Sequence, residues 1–316
     1  MTLNVLILAA GLGTRMKSNK PKVMHKILGK PILEYIIDAS SKISPSRTIL
    51  LISPKQEDMR IHFEKQGLWF AVQEKQLGTG DAVKSAMQEV EENADLMVLA
   101  GDVPMIRTET LKMLYEKHVK EKASITFLTM LLENPKGYGR VKKSEETVER
   151  IVEEKDATEE IKKIKEVNSG IYVFAHDFLK EGIKLIKNEN AQKEYYLTDL
   201  ISIAHGRKLK TIAVPINDSS EVSGINDRKQ LSDIEQAMLY RKLCSLMQNG
   251  VTIRSPQTVY IDDKVLIGAD TEIGSHVVLK GSTVIGERAV IKDFSYINNK
   301  KIADGEIIQP FTVLDE

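Results

Sequence analysis

Apolar residues along this chain follow two different rhythms. Over the first 225 or so residues, continuous apolar runs alternate with stretches whose apolar positions recur at helical spacing. The runs at 4–10 ("NVLILAA"), 48–53, 69–72, 96–102, 123–130 and 170–175 predict strands, the first buried on both faces. Stretches 31–43, 56–66, 81–92, 194–206 and 231–250 predict helices. Pro31 suits a first helical turn and Gly250 a C-terminal cap. Such alternation predicts a mostly parallel sheet wrapped by helices, a Rossmann-like α/β fold.

After Gly250 the rhythm changes. Ile261, Ile267, Ile273, Leu279, Ile285, Ile291 and Ile297 stand six residues apart. Small or β-branched residues stand two before each: Val259, Val265, Thr271, Val277, Thr283, Ala289 and Ser295. One inward aliphatic every six residues predicts a short left-handed parallel β-helix of two to three coils. The expected organisation is a first domain over 1–226, a linker helix over 227–250 and a truncated β-helix over 251–316.

Composition narrows the function. Lys plus Arg and Asp plus Glu number 45 each, a balance that argues against a nucleic-acid binder with a broad basic face. Cys244 is the single cysteine, so no intramolecular disulfide can form, and a cytoplasmic location is expected. No apolar run approaches the ~20 residues of a membrane helix. The six histidines show no HExxH or paired ligand spacing and are read as core or surface residues.

The chemistry starts where the first strand ends. In "VLILAAGLGTRMKSNKPKV", Gly11 and Gly13 allow main-chain N–H groups to approach an anion, and a following helix N-terminus would add positive charge. Arg15 and Lys22 can reach pendant phosphates. Met16 stands where a dinucleotide fingerprint needs its third glycine, and the Gly-Lys-Ser/Thr of a P-loop is missing. Asp102 ends a strand in "LAGDVP" and suits either a turn cap or a Mg²⁺ ligand.

"LAAGLGTRMKSNKPKVMHKILGKP" closely resembles the signature of sugar-1-phosphate nucleotidyltransferases, and within them the N-acetylglucosamine-1-phosphate uridyltransferases. "VQEKQLGTGDAV", "LAGDVPMI", "GYGRV", "IVEEKDAT", "EVNSGIYVF", "EYYLTD" and "GINDR" follow in the family's order, so the resemblance spans essentially the whole chain. It implies Mg²⁺-dependent transfer of uridylyl from UTP to N-acetylglucosamine-1-phosphate, giving UDP-N-acetylglucosamine and pyrophosphate for cell-wall synthesis. Arg15, Lys22 and Asp102 would be catalytic, and Asp102 with Asn226 would hold the metal. The nucleotide would meet Leu8, Ala9, Ala10, Gly11, Lys22, Gln73, Gly78 and Thr79. The sugar would meet Gly101, Gly139, Glu153, Asn168 and Thr198, with Glu154 left as a surface residue. Asp81 stands where the family commonly has histidine and Ala100 where an aromatic is frequent; both departures are expected to loosen substrate preference.

The resemblance also implies a homotrimer through the β-helix. In the bifunctional members that part is longer and carries an acetyltransferase site. Here the chain stops at "IIQPFTVLDE", so no acetyl-CoA-dependent acetylation of glucosamine-1-phosphate is expected. Either the natural chain carries one activity or the sequence is a piece of a longer one. Two other readings stay open: glucose-1-phosphate with UTP or dTTP, and a non-catalytic nucleotide-sugar binder. A binder has no need of the full set Arg15, Lys22, Asp102 and Asn226.

Overall fold

The computed structural model describes residues 2–145 and 147–315. They form two units, one of residues 2–24 and 32–224, the other of residues 25–31 and 225–315. The short hairpin Lys26–Ile27 with Lys30–Pro31 thus groups with the C-terminal unit, although it interrupts the chain of the first.

The first unit holds β1 (Thr2–Leu8), α1 (Ile32–Ser41), β2 (Arg47–Ile52), α2 (Glu57–Phe63), β3 (Trp69–Val72), α3 (Thr79–Ala86), β4 (Ala94–Ala100) and α4 (Thr108–Glu121). It continues with β5 (Ile125–Leu131), β6 (Arg140–Ser144), β7 (Thr147–Val152), α5 (Glu159–Lys162), β8 (Glu166–Phe174), α6 (His176–Gly182), α7 (Asp199–Gly206) and β9 (Thr211–Pro215). Among the described residues the strands make one sheet in the order β9-β5-β8-β4-β1-β2-β3, with the β6–β7 hairpin joined to β8. Side chains alternate across a strand. Leu6, Ile49, Leu51, Leu96 and Val98 therefore pack with Val83, Leu179 and Leu200 of α3, α6 and α7 on one face. Val5, Ile7, Leu50, Met97 and Leu99 point to the other face and are just as buried. Burial on both faces is why these strands read as unbroken apolar runs.

The sheet is mixed because β8 runs antiparallel to both β4 and β5. The strands around β1 are parallel and end together: Leu8 pairs with Leu51 and Ala100, and Ile52 with Val72. The loops after β1, β3 and β4 consequently leave the same edge, where ligands of open α/β sheets collect. Two predicted helices are shorter than expected. The segment 81–92 is helical only to Ala86. The segment 194–206 becomes helical at Asp199, because residues 194–198 are drawn into bonds with the loop after β3. Predicted strand patterns also missed the β6–β7 hairpin and β9.

In the second unit α8 (Arg228–Gln248) precedes the β-helix and adds Leu243 to its core. The predicted inward aliphatics are buried, apart from a half-buried Ile267, as are all seven small or β-branched residues two before them. The coil runs further than the six-residue beat suggested. Ile302 and Ile308 are also buried, and strands continue to Val313–Leu314. The step from Ile297 to Ile302 is five residues, and that deletion hid the continuation. Asp or Asn side chains one coil on accept the turn N–H groups: Asp293 from Ser275 at 2.7 Å, Asn299 from Ser282 at 3.0 Å and Asp304 from Glu287 at 2.9 Å.

Candidate active site

The phosphate-binding candidate begins as β1 ends. Gly13 lies in the left-handed region (φ 59°), and a Cβ there would come 2.6 Å from Lys22 Cβ. Only glycine lets the loop fold back so that Lys22 lies against it. The expected helix after this loop is a single 3₁₀ turn, Thr14–Met16, so the loop gains little helix-end charge. Met16, in the place of a third glycine, is buried and pins the loop to the core. Arg15 is exposed on that turn, whereas Lys22 is half-buried and its Nζ forms an ion pair with Asp102 Oδ2.

Strand pairing brings Asp102 there. Because Ala100 lies beside Leu8, the next residue, Gly101, donates its N–H to the Leu8 carbonyl at 3.0 Å. A Cβ on Gly101 would stand 2.7 Å from that carbonyl oxygen, which accounts for glycine in "LAGD". Gly224 passes alongside Asp102 at ordinary contact distance: a Cβ on it would be 3.5 Å from Asp102 Oδ2. Asn226, two residues on, belongs to the second unit. Among the described residues no three His, Cys, Asp or Glu side chains cluster as a metal site.

A cavity of about 300 Å³ opens at the same edge. Leu8, Ala10, Gly11, Gln73, Gly78 and Thr79, six of the residues named for the nucleotide, line it, together with Ala100. Ala9 is absent from the lining; its N–H donates to the Leu51 carbonyl and its carbonyl accepts from Gln56. The loop Gly78–Gly80 is clamped by the segment before α7. Gly80 donates to the Tyr195 carbonyl at 2.7 Å, Tyr195 donates to the Leu77 carbonyl at 2.7 Å, and the Thr79 hydroxyl accepts from Leu197 N–H at 3.1 Å. A Cβ on Gly78 would be 2.5 Å from the Tyr195 oxygen. Thr79 thus holds the loop with its side chain. Gln76 and Glu194 also line the cavity. The residues alone do not point to them, because the pairing that brings Tyr195, next to Glu194, to the Gly78 turn is long-range and leaves no local pattern.

The residues named for the sugar form a second group. Thr198 donates to Glu153 Oε1 at 3.1 Å, and a Cβ on Gly139 would be 3.4 Å from the same carboxylate. Asn168 donates its N–H to the Gly139 carbonyl at 2.9 Å, and its side-chain Oδ1 accepts from Gly170 N–H at 3.0 Å. A register shift in β8 between Asn168 and Tyr172, at Gly170 (φ 83°), interrupts its pairing with β5 just beyond Asn168. Burial holds the Glu153 carboxyl above its usual range, helped by neighbouring Asp156, Asp199 and Glu194. Asp199 is likewise pushed up to about 6, by burial and by Asp156. Burial, with the Asp102 charge adding to it, raises the pKa of the half-buried Tyr138, the residue before Gly139. Glu154, expected at the surface, is a buttress: it pairs with the buried Arg140 at 2.7 Å and accepts from Gly137 N–H at 3.1 Å.

The profile of the family described as Nucleotidyl transferase matches residues 4–224, the stretch that carries both groups. The chain belongs to the nucleotidyl transferase family. Among curated relatives of this nucleotidyltransferase is the bifunctional protein GlmU of Alkaliphilus oremlandii, 43% identical over 99% of this chain and 69% of its own length. That of Clostridioides difficile is 42% identical over the whole chain and 69% of its own length. The Fervidobacterium nodosum protein of the same name is 44% identical over 96% of the chain and 65% of its own length. The chain thus spans about two thirds of the length of these relatives. A UDP-glucose pyrophosphorylase crystallised with UDP-glucose matches with a TM-score of 0.60 over 77% of this chain and 100% of its own; at 17% identity it shows the fold alone. Among the described residues no helix is long and apolar enough to cross a membrane.

Proposed function

We propose that this nucleotidyltransferase moves uridylyl from UTP to N-acetylglucosamine-1-phosphate, releasing pyrophosphate. The observation that carries the reading is the convergence at one sheet edge of the nucleotide cavity, the Lys22–Asp102 pair and the Glu153–Thr198 group. The likeness to the relatives named for GlmU, together with that convergence, supports this choice of substrates.

In the proposed reaction an anionic oxygen of the sugar phosphate forms a bond to the α-phosphorus of UTP. The bond from that phosphorus to the bridging oxygen breaks, and pyrophosphate leaves with the electron pair. No proton need move, so no general base is required; the task is to align two polyanions and offset their repulsion. Uracil would enter the cavity between Leu8 and Gln73, with the phosphates over Gly11 and Gly13. Lys22 would meet the phosphates as a point charge and Arg15 as a fork. Glu153, Asn168 and Thr198 would pair with sugar hydroxyls and the N-acetyl amide, beside Gly139 and Gly101.

The donor set suits Mg²⁺. Asp102 would offer a hard oxygen already facing a positive charge, and because no cluster of three His, Cys, Asp or Glu side chains occurs among the described residues, the remaining sites would go to phosphate oxygens and water, as Mg²⁺ favours. Asp102 would hold it, and the bound cation would neutralise charge that develops on the phosphates.

A substrate matrix read by pyrophosphate release tests the proposal. Release is expected only when UTP, N-acetylglucosamine-1-phosphate and a divalent cation are all present. Lys22→Ala and Asp102→Ala should each lower kcat by about 10²-fold or more. Equal turnover of glucose-1-phosphate, or wild-type rates in both variants, would overturn it.

A further inference from the structure

The loss of the family's histidine at position 81 is expected to relax nucleotide choice; the geometry around Asp81 argues the opposite. Gln73 is 4% exposed, at the end of β3. Its side-chain Nε2 donates to the Gly78 carbonyl at 3.2 Å and to Asp81 Oδ2 at 2.9 Å. Both partners are pure acceptors, so the amide nitrogen must face them. The atom left for the cavity that Gln73 lines is its acceptor, Oε1. Asp81 is well placed to enforce this, because it sits in the first turn of α3, whose Ala82, Val83 and Ala86 are buried in the core.

We infer that Asp81 is a positioning residue that selects the base, by fixing Gln73 with its oxygen toward the nucleotide. This rests on the proposed nucleotide site. A fixed acceptor pairs with the N3–H of uracil. Cytosine presents a lone pair at that atom, so the same oxygen repels it. With Asp81 removed, the Gly78 carbonyl alone holds the amide at the longer distance. Gln73 can then rotate and offer an N–H to cytosine. Leaving a buried polar group mispaired is what lets a site reject a near-isosteric ligand strongly.

The experiment compares UTP with CTP in the wild type, Asp81→Ala and Asp81→Asn. It uses two readouts: kcat/KM by pyrophosphate release and affinity by calorimetry with Mg²⁺ present. Asp81→Ala should lower the UTP-over-CTP ratio at least about tenfold in both, with the sugar-phosphate KM unchanged. Asp81→Asn keeps an acceptor in place and should retain the wild-type ratio. An unchanged ratio in Asp81→Ala overturns the inference, because a role confined to stability would move both nucleotides together. Asp81→Ser, too short to reach the amide, replaces the alanine variant if that does not fold. Binding separates the two claims: a wild type that prefers UTP but releases no pyrophosphate counts against the proposed reaction, while the affinity ratios still decide the role of Asp81.

Discussion

Glu153 shows at the scale of one residue how a site works against stability. Its carboxylate is held above the usual range by burial, with acidic neighbours adding to the effect. A folded-state pKa raised above the unfolded value means the ionised form costs folding free energy at neutral pH. That cost disappears as the pH falls below the folded value. Glu153→Gln removes the charge and keeps the shape. It should therefore raise Tm at pH 7 by roughly 2–4 °C while raising the sugar-phosphate KM about tenfold or more, with the UTP KM unmoved. A lower Tm by calorimetry would show that the charge is compensated, and an unchanged sugar KM would remove Glu153 from the sugar group. Thr79 makes the complementary point. Named for contact with the nucleotide, it spends its hydroxyl on Leu197, so a motif residue can serve its ligand through the loop it holds.

At the scale of elements, parallel register does most of the assembly. Leu8 beside Ala100 sets Asp102 near Lys22, and the antiparallel β8 returns Asn168 toward the same edge. The far end of the sheet carries a different feature. His118 of α4 is 3% exposed, with its Nδ1 2.9 Å from Thr126 Oγ1 of β5. Burial lowers its pKa to about 4. A depressed folded-state value means protons favour the unfolded chain, so this stability is complete above pH 6.5 and is lost as the pH falls toward 4. Denaturant midpoints measured across that window should fall in the wild type and fall less in His118→Gln. Asp95, 4.0 Å away, is held above its usual range by burial and titrates in the opposite sense, so the comparison is cleanest in an Asp95→Asn background. Equal slopes would show that His118 is protonated at no cost.

At the scale of the whole molecule, the β-helix is the part expected to bring copies together. It exposes Leu266, Ile307 and Val313 on its strands and a stacked ladder of His276, Phe294 and Phe311 with ring centroids 4.7 and 5.1 Å apart. Apolar strand surface of this kind is usually covered. We expect a trimer, with a mass near three chains by light scattering at micromolar concentration; a monomer there would refute it.

The alternating runs, the six-residue beat and the glycine-rich turn were legible in the residues themselves, because burial on both faces, a triangular coil and a close backbone approach each impose a local pattern. The eight motifs carried the family through resemblance, and so named residues such as Asn168 and Thr198 that spacing never could. What only the tertiary structure decided was who meets whom. Asp81 on Gln73 and Arg140 on Glu154 depend on how a turn folds back on itself, Tyr195 on the Gly78 turn depends on a pairing between distant segments, and the extra coils beyond Ile297 depend on packing that tolerates a five-residue step. Such contacts are set by strand register and packing, which act across the fold and leave no periodic trace along the chain.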